Sequence, residues 1–112
     1  MLTIYHNPRC SKSRQTLALI EENNKEVAIV EYLKTPLDEA TIKSLLSLLS
    51  ISAIEMMRVK EVEFKEKNLA NADEEQLITA MVNTPKLMER PIVTNESKAI
   101  IGRPPENVLT LF

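Results

Sequence analysis

Apolar residues follow a strand spacing and then a helical spacing at the start of the chain. Leu2–Tyr5 is a short apolar run typical of a β-strand, and Leu17 and Ile20 recur at helical spacing. Val27–Tyr32 is a β-branched run of the kind found in central strands. A strand, a helix and a second strand form a βαβ unit. The sequence therefore predicts that the two strands are parallel and that the helix ends near Asn23.

The middle of the chain carries repeated helix start signals and little strand pattern. Each signal is a capping residue followed by proline or by an acidic or amide residue: Thr35-Pro36, Ser52 with Glu55, Asp73 with Gln76, and Thr84-Pro85. Between them, the charged stretch from residue 60 to 70 has Val62, Phe64 and Leu69 as its apolar positions. The start signals predict several short helices, and we interpret the charged stretch as a solvated face rather than a binding patch.

Strand patterns return near the end of the chain. Ile92–Thr94 and Lys98–Ile101 are separated by Asn95–Ser97, which is typical of a hairpin turn. Pro104 then begins a final helix, whose predicted buried face is Val108, Leu109, Leu111 and Phe112. The order of elements predicts an α/β fold with a four-stranded mixed sheet and a helical insertion between strands 2 and 3. That is a thioredoxin-like topology.

Composition narrows the classes of function. At 112 residues with 44% hydrophobic content, the chain is expected to form one domain over residues 1–112. Fourteen basic and sixteen acidic residues give a net charge of −2, so no nucleic-acid or membrane surface is expected. One cysteine and one histidine exclude an intrachain disulfide and a Cys-His zinc site, and no metal is expected. No signal peptide or membrane span is visible, which favours a cytoplasmic protein.

The single cysteine, Cys10, lies where the first strand gives way to the first helix. Pro8 prevents the strand from continuing, and Ser11 and Ser13 are candidates to cap the free amides of the helix. A lone cysteine is most often a small buried apolar residue. Here, however, polar and basic residues surround the thiol, which favours a reactive cysteine.

Positive charge is concentrated around this cysteine. A thiol at a helix N-terminus with Lys12, Arg14 and, if protonated, His6 nearby has its thiolate form stabilised. We therefore predict that Cys10 has a pKa below that of an ordinary thiol. The same amides and cations are suited to hold an oxyanion against the sulfur.

Four segments together resemble the glutaredoxin-dependent arsenate reductase family. The resemblance extends over the whole chain, and the segments occur in the family's order: His6-Asn7-Pro8-Arg9-Cys10 with Ser13-Arg14-Gln15-Thr16-Leu17, then Met57-Arg58-Val59-Lys60-Glu61, then Glu89-Arg90-Pro91-Ile92-Val93, then Ile101-Gly102-Arg103-Pro104-Pro105-Glu106. Ordered matches are far more specific than any one of them.

The resemblance implies a role for each matching residue. Cys10 matches the nucleophile that attacks arsenic, and Arg58, Arg90 and Arg103 match the arginines that bind the oxyanion. Guanidinium groups suit this role because they stay charged and bind oxyanions bidentately. The resemblance to thioredoxin-like folds also implies a cis peptide before Pro91.

The family also implies how the reaction would be completed. No cofactor is bound; glutathione serves as co-substrate and glutaredoxin as the protein partner that restores the thiol. The best known members follow the cysteine with Gly and Thr, whereas this chain has Ser11 and Lys12. It resembles the arsenate reductase-like branch with a C-S-K-S-R loop.

A second hypothesis is a non-catalytic protein of the same fold. Spx-type regulators bind RNA polymerase and sense redox state through a Cys-x-x-Cys pair. This chain has Ser13 in place of the second cysteine, so a disulfide switch is not available. A plain binding module remains the alternative to the enzyme.

Overall fold

The computed structural model describes all residues, Met1–Phe112, and the chain divides into two compact units. We call residues Met1–Thr35 together with Arg90–Phe112 the sheet unit, and Pro36–Glu89 the helical unit. None of the helices is long and apolar enough to cross a membrane. The helical unit is thus inserted in sequence between the two segments that build the sheet.

The sheet unit contains the predicted four-stranded mixed sheet. Its strands are β1 (Leu2–Tyr5), β2 (Val27–Val30), β3 (Ile92–Thr94) and β4 (Ala99–Ile101), in the spatial order β2-β1-β3-β4. As predicted, β1 and β2 are parallel, whereas β3 pairs antiparallel with both β1 and β4. The thioredoxin-like topology and the hairpin are therefore confirmed.

The second strand differs from its prediction. It lies at the edge of the sheet, ends at Val30 and leaves the side chain of Ile29 50% exposed. The central positions are instead occupied by β1 and β3, in which Ile4, Ile92 and Val93 are fully buried. A β-branched run is compatible with both positions, because β-branched residues are enriched in strands generally and their pattern alone does not show how many neighbours a strand has.

One helix covers the sheet and begins at the cysteine. Helix α1 (Ser11–Glu22) ends as predicted, with Asn23 as its C-cap and Asn24 in the left-handed conformation. The buried residues that form the core around it are Leu2, Ile4, Ile20, Val93, Val108 and Leu111. The packing of α1 on this core fixes the direction in which its N-terminus points.

The C-terminal helix forms, but with a different geometry from the one predicted. Residues Pro105–Leu111 form a 3₁₀-helix, in which residues three apart lie on one face. Val108 and Leu111 are buried accordingly, whereas Leu109 and Phe112 are largely exposed. The expectation that all four would be buried was wrong because it assumed an α-helical period.

Short helices make up the helical unit. They are α2 (Glu39–Leu49), α3 (Val62–Glu66) and α4 (Glu74–Asn83), with 3₁₀ turns at Ala53–Met56, Leu69–Asn71 and Pro85–Leu87. The predicted capping box is present at the start of α4, where Asp73 accepts from the amide of Gln76 and the Gln76 side chain accepts from the amide of Asp73. Phe64 and Leu69 are buried as predicted, but Val62 is 62% exposed.

The hydrogen bonds at two predicted helix starts differ from those expected. Helix α2 does not begin at Thr35; its N-cap is Asp38, whose carboxylate accepts from the Thr41 amide at 2.8 Å. The helical turn predicted after Ser52 is present at Ala53–Met56, but the hydrogen bonds of a capping box do not form. Instead, Ser52 Oγ donates to the Glu55 carboxylate at 3.0 Å, and the Ala53 amide donates to the Glu74 carboxylate at 2.9 Å. The amides at the start of a helix can thus be satisfied by other acceptors than the capping residue that the sequence pattern indicates.

Candidate active site

The segment between β1 and α1 is held by its own hydrogen bonds. The Cys10 amide donates to the Asn7 carbonyl at 3.0 Å, and the Asn7 side chain accepts from the Arg9 amide at 3.0 Å. Arg14 donates from Nη1 to the Pro8 carbonyl at 2.9 Å. Cys10 is therefore fixed as the N-cap residue of α1, which agrees with its predicted place on the turn between strand and helix.

Ser13 forms a buried connection beneath the loop instead of capping the helix. Its Oγ lies 2.6 Å from Nδ1 of His6 and accepts a hydrogen bond from the Asn7 amide at 3.1 Å. No side chain caps the N-terminus of α1, so the capping role predicted for Ser11 and Ser13 is wrong. Without a side-chain cap, the first amides of the helix are available to groups at Cys10.

His6 is part of the scaffold, and its buried position favours the neutral form. Burial lowers the pKa of His6, and the charge of Arg14 lowers it further against the opposing effects of Glu31 and Glu21. The lowered pKa works against the protonated form of His6, which is the form expected from the sequence to stabilise the thiolate. Its role visible in the structure is the hydrogen bond to Ser13.

The Cys10 sulfur has the properties of an activated thiol. The residue is 9% exposed, and Nη2 of Arg103 donates to its Sγ at 3.7 Å. Burial raises the pKa of Cys10, but hydrogen bonds from the Ser13 amide and the Arg90 side chain, the charge of Arg90 and the Lys12 amide together bring it below its ordinary value. The direction agrees with the prediction, and the amides of α1 contribute to it directly.

Arg90 and Arg103 lie together beside the sulfur. Nε of Arg103 donates to the Arg90 carbonyl at 2.9 Å, which leaves its Nη atoms directed to the cysteine side. Nε of Arg90 is buried and has no hydrogen-bond partner in the protein. The peptide between Arg90 and Pro91 is cis, as expected, and so is the one between Arg103 and Pro104, which was not predicted.

The third predicted arginine, Arg58, belongs to the helical unit. Its amide donates to the Leu87 carbonyl at 2.7 Å, and its Nε donates to the Glu61 carboxylate at 3.0 Å. The hydrogen bond from Arg58 is the main reason that the pKa of Glu61 lies below its usual value. This pairing uses Nε and leaves the two Nη groups for other acceptors.

Three residues near the cysteine were missed by the sequence interpretation. Asn7 shapes the loop, and its signal was present, because Asn commonly binds its own backbone two residues on. Thr16 and Gly102 are buried behind the site, where an ideal Cβ on Gly102 would lie 2.6 Å from Oγ1 of Thr16. No local pattern indicates a contact between residues so far apart in sequence.

Comparison with known proteins identifies the family of this chain. The sequence model of the ArsC family matches residues 5–111, which is nearly the whole chain. The chain belongs to the ArsC family.

Relatives of this ArsC family member cover it almost end to end. The arsenate reductase of Neisseria meningitidis serogroup A is 46% identical over 110 residues, covering 96% of this chain and 94% of that protein. The uncharacterized protein YfgD of Escherichia coli K12 is 60% identical over 111 residues, covering 96% and 93%. Among solved structures, the arsenate reductase from Vibrio cholerae superposes with a TM-score of 0.96 at 43% identity, covering 99% of this chain and 97% of that one.

Proposed function

We propose that this protein is a thiol-dependent oxidoreductase that reduces arsenate or a closely related oxyanion with Cys10 as the nucleophile. The observation that carries the proposal is the contact between Arg103 Nη2 and a Cys10 Sγ whose pKa lies below the ordinary value. This contact places a nucleophilic sulfur next to a cationic group that can bind an oxyanion. Arsenate reductases among the relatives support the choice of substrate.

The first step is attack of the Cys10 thiolate on arsenic(V). An S–As bond forms, an As–O bond breaks, and the departing oxygen leaves as water after protonation. Arg90 and Arg103 neutralise the oxyanion during this step, and Arg58 is proposed as the third arginine by its match to the family. Guanidinium groups serve here because their charge does not depend on pH in the working range.

The second step requires a thiol from outside the chain, since the sequence has one cysteine. A glutathione thiolate attacks the Cys10 sulfur and breaks the S–As bond, whose electron pair remains on arsenic. Arsenite leaves with arsenic(III), and Cys10 is left in a mixed disulfide with glutathione. A glutaredoxin thiolate then attacks the glutathione sulfur and releases the Cys10 thiolate. A reducing cytoplasm supplies these thiols.

The test is a steady-state assay of arsenate reduction with glutathione and glutaredoxin. We expect turnover only when both thiol components are present, and none above background for Cys10→Ser. Mass spectrometry should find glutathione on the wild-type chain, and because only one cysteine exists, any adduct is assigned to Cys10. Full activity in Cys10→Ser, or repeated turnover without added thiol, would contradict the proposal.

A further inference from the structure

The chain has a single glycine, Gly102. The close approach of neighbouring side chains, and not the backbone conformation, is what requires glycine here. Its φ is not positive, so the backbone conformation alone does not require glycine. An ideal Cβ at this residue would lie 2.6 Å from Oγ1 of Thr16 and 2.8 Å from Cγ of Pro91. Both distances are shorter than real Cβ contacts, so no side chain fits without movement of a neighbour.

This contact joins the three segments that carry the site residues of the sheet unit. Thr16 lies on α1, six positions after Cys10; Pro91 follows Arg90, and Gly102 precedes Arg103. We call the three residues Thr16, Pro91 and Gly102 the glycine junction. Separation of any two of these segments would change the distances between the sulfur and the arginines.

Hydrogen bonds link each member of the glycine junction to the site. The Gly102 amide donates to the Pro91 carbonyl at 2.9 Å, which ties the segment before Arg103 to the segment after Arg90. Thr16, which is fully buried, donates from Oγ1 to the Lys12 carbonyl at 2.8 Å. The junction is therefore connected to the first turn of α1 as well as in contact with it.

We infer that Gly102 is a positioning residue: by lacking a side chain, it lets the segments bearing Cys10, Arg90 and Arg103 approach closely enough for the guanidinium groups to act on the sulfur. Close packing leaves no room to absorb an added methyl group without displacement. The inference deepens the proposed function, since the same arginines are proposed to hold the oxyanion. It concerns the geometry at the sulfur, however, and can be tested without turnover.

The test compares the alkylation of Cys10 by iodoacetamide, which is neutral, and by iodoacetate, which is an anion. The ratio of the two rates cancels the fraction of thiolate and reports the positive charge at the sulfur. In Gly102→Ala we expect the iodoacetate-to-iodoacetamide ratio to fall several-fold and the pKa of Cys10, followed by thiolate absorbance, to rise. The Michaelis constant for arsenate should rise more than the turnover number falls.

Three further variants separate positioning from stability. Thr16→Ala in the Gly102→Ala background removes the Oγ1 clash and should restore part of the ratio. Thr16→Ala alone adds no atoms to the junction; it removes the hydrogen bond to the Lys12 carbonyl, loosens the same contact and should lower the ratio by a smaller factor. Val108→Ala is the matched control, because it opens a cavity in the core of the sheet unit and Val108 is not among the nearest neighbours of a Cβ on Gly102.

The outcomes are distinct. A reduced ratio in Gly102→Ala or Thr16→Ala, with an unchanged ratio in Val108→Ala, supports the inference. If Gly102→Ala does not fold, Thr16→Ala decides the question by itself. The inference would be overturned if every folded variant of the glycine junction had the same alkylation ratio and the same Cys10 pKa as Val108→Ala. Absence of arsenate turnover in the wild type would count against the proposed function and would leave these alkylation results standing.

Discussion

The two units of the chain hold their candidate site residues in different ways. In the sheet unit, Cys10 and Arg103 are held by main-chain groups: the Asn7 carbonyl fixes the cysteine and the Arg90 carbonyl fixes the guanidinium. In the helical unit, the side chain of Arg58 is held by a carboxylate, that of Glu61. Main-chain contacts persist through changes of salt and pH, whereas a partly exposed ion pair is weakened by both. We therefore expect the sheet unit to set the chemistry and the Arg58 pair to be the more adjustable part.

The largest effect should come from Arg103→Lys. Lysine keeps the charge but lacks the planar fork that bonds the Arg90 carbonyl and reaches Sγ of Cys10 together. A charge-assisted hydrogen bond contributes about 1.5–3 kcal/mol, so kcat/KM for arsenate should fall by about tenfold to a hundredfold. Steady-state kinetics provide the measurement. If Arg58→Lys reduced kcat/KM more than Arg103→Lys did, the expectation that the sheet unit sets the chemistry would be wrong.

Next in size is the effect of Ser13→Ala on stability. The change leaves His6 Nδ1 and the Asn7 amide without their buried partner, at a cost of about 1–3 kcal/mol in the free energy of unfolding. Urea denaturation measures this loss. Ser11→Ala is the matched control, since Ser11 is exposed and caps nothing, and it should change stability by less than about 0.5 kcal/mol. Equal losses in the two variants would contradict the scaffold role of Ser13.

Stability should also decrease on acidification. The pKa of His6 is depressed by burial in the folded state, so its neutral form contributes stability that is fully present above about pH 6.5 and is lost as the pH falls through the folded pKa. The pKa of Cys10, also depressed, contributes in the same direction at higher pH: stability present above the unfolded thiol pKa is lost as the pH falls through the folded one.

Urea titrations between about pH 5 and 8, a range that spans the ordinary histidine pKa, would show the histidine part of this slope. His6→Asn removes the titrating group but keeps an amide near Ser13, so the slope below pH 6.5 should flatten in this variant. A slope that is as steep without His6 as with it would assign the pH dependence to other groups.

The smallest effect is expected from Glu61→Gln in the helical unit. Arg58 and Glu61 are 23% and 22% exposed, and exposed or partly exposed pairs contribute about 0.2–1 kcal/mol, so the Michaelis constant for arsenate should change by only a few-fold. The ratio of the Michaelis constants of the variant and the wild type should approach one as salt is added, because salt screens the ion pair in the wild type. Glu39→Gln, which disrupts another ion pair of the same unit, is the control and should leave the Michaelis constant unchanged.

Features with local causes were predictable from the sequence. The capping box at Asp73, the hairpin after Ile92 and the turn at Cys10 each depend on neighbouring residues, and all three are present. The direction of the Cys10 pKa also followed from its place at a helix start. Resemblance to the family, rather than local pattern, indicated Arg90 and Arg103 as site residues.

Features that depend on distant partners were not predictable. Residue patterns do not show that the Glu74 carboxylate accepts a hydrogen bond from the Ala53 amide, or that β2 lies at an edge of the sheet. Ser13 was assigned a capping role because serine at that position commonly caps, but the buried His6 competes for its hydroxyl. Gly102 follows directly on β4, and its neighbours in sequence do not show that it is constrained by Thr16 on a helix far away in sequence.

The absence of a side-chain cap on α1 links occupancy of the proposed site to the folding equilibrium. An oxyanion held at Cys10 would interact favourably with the N-terminus of α1, and a ligand that binds only the folded state raises the free energy of unfolding by RT ln(1 + [L]/Kd). At a ligand concentration of about 100 Kd this amounts to about 2.7 kcal/mol. Binding of the proposed oxyanion substrate would therefore increase resistance to heat and proteolysis, so that exposure to this anion would lengthen the lifetime of the protein.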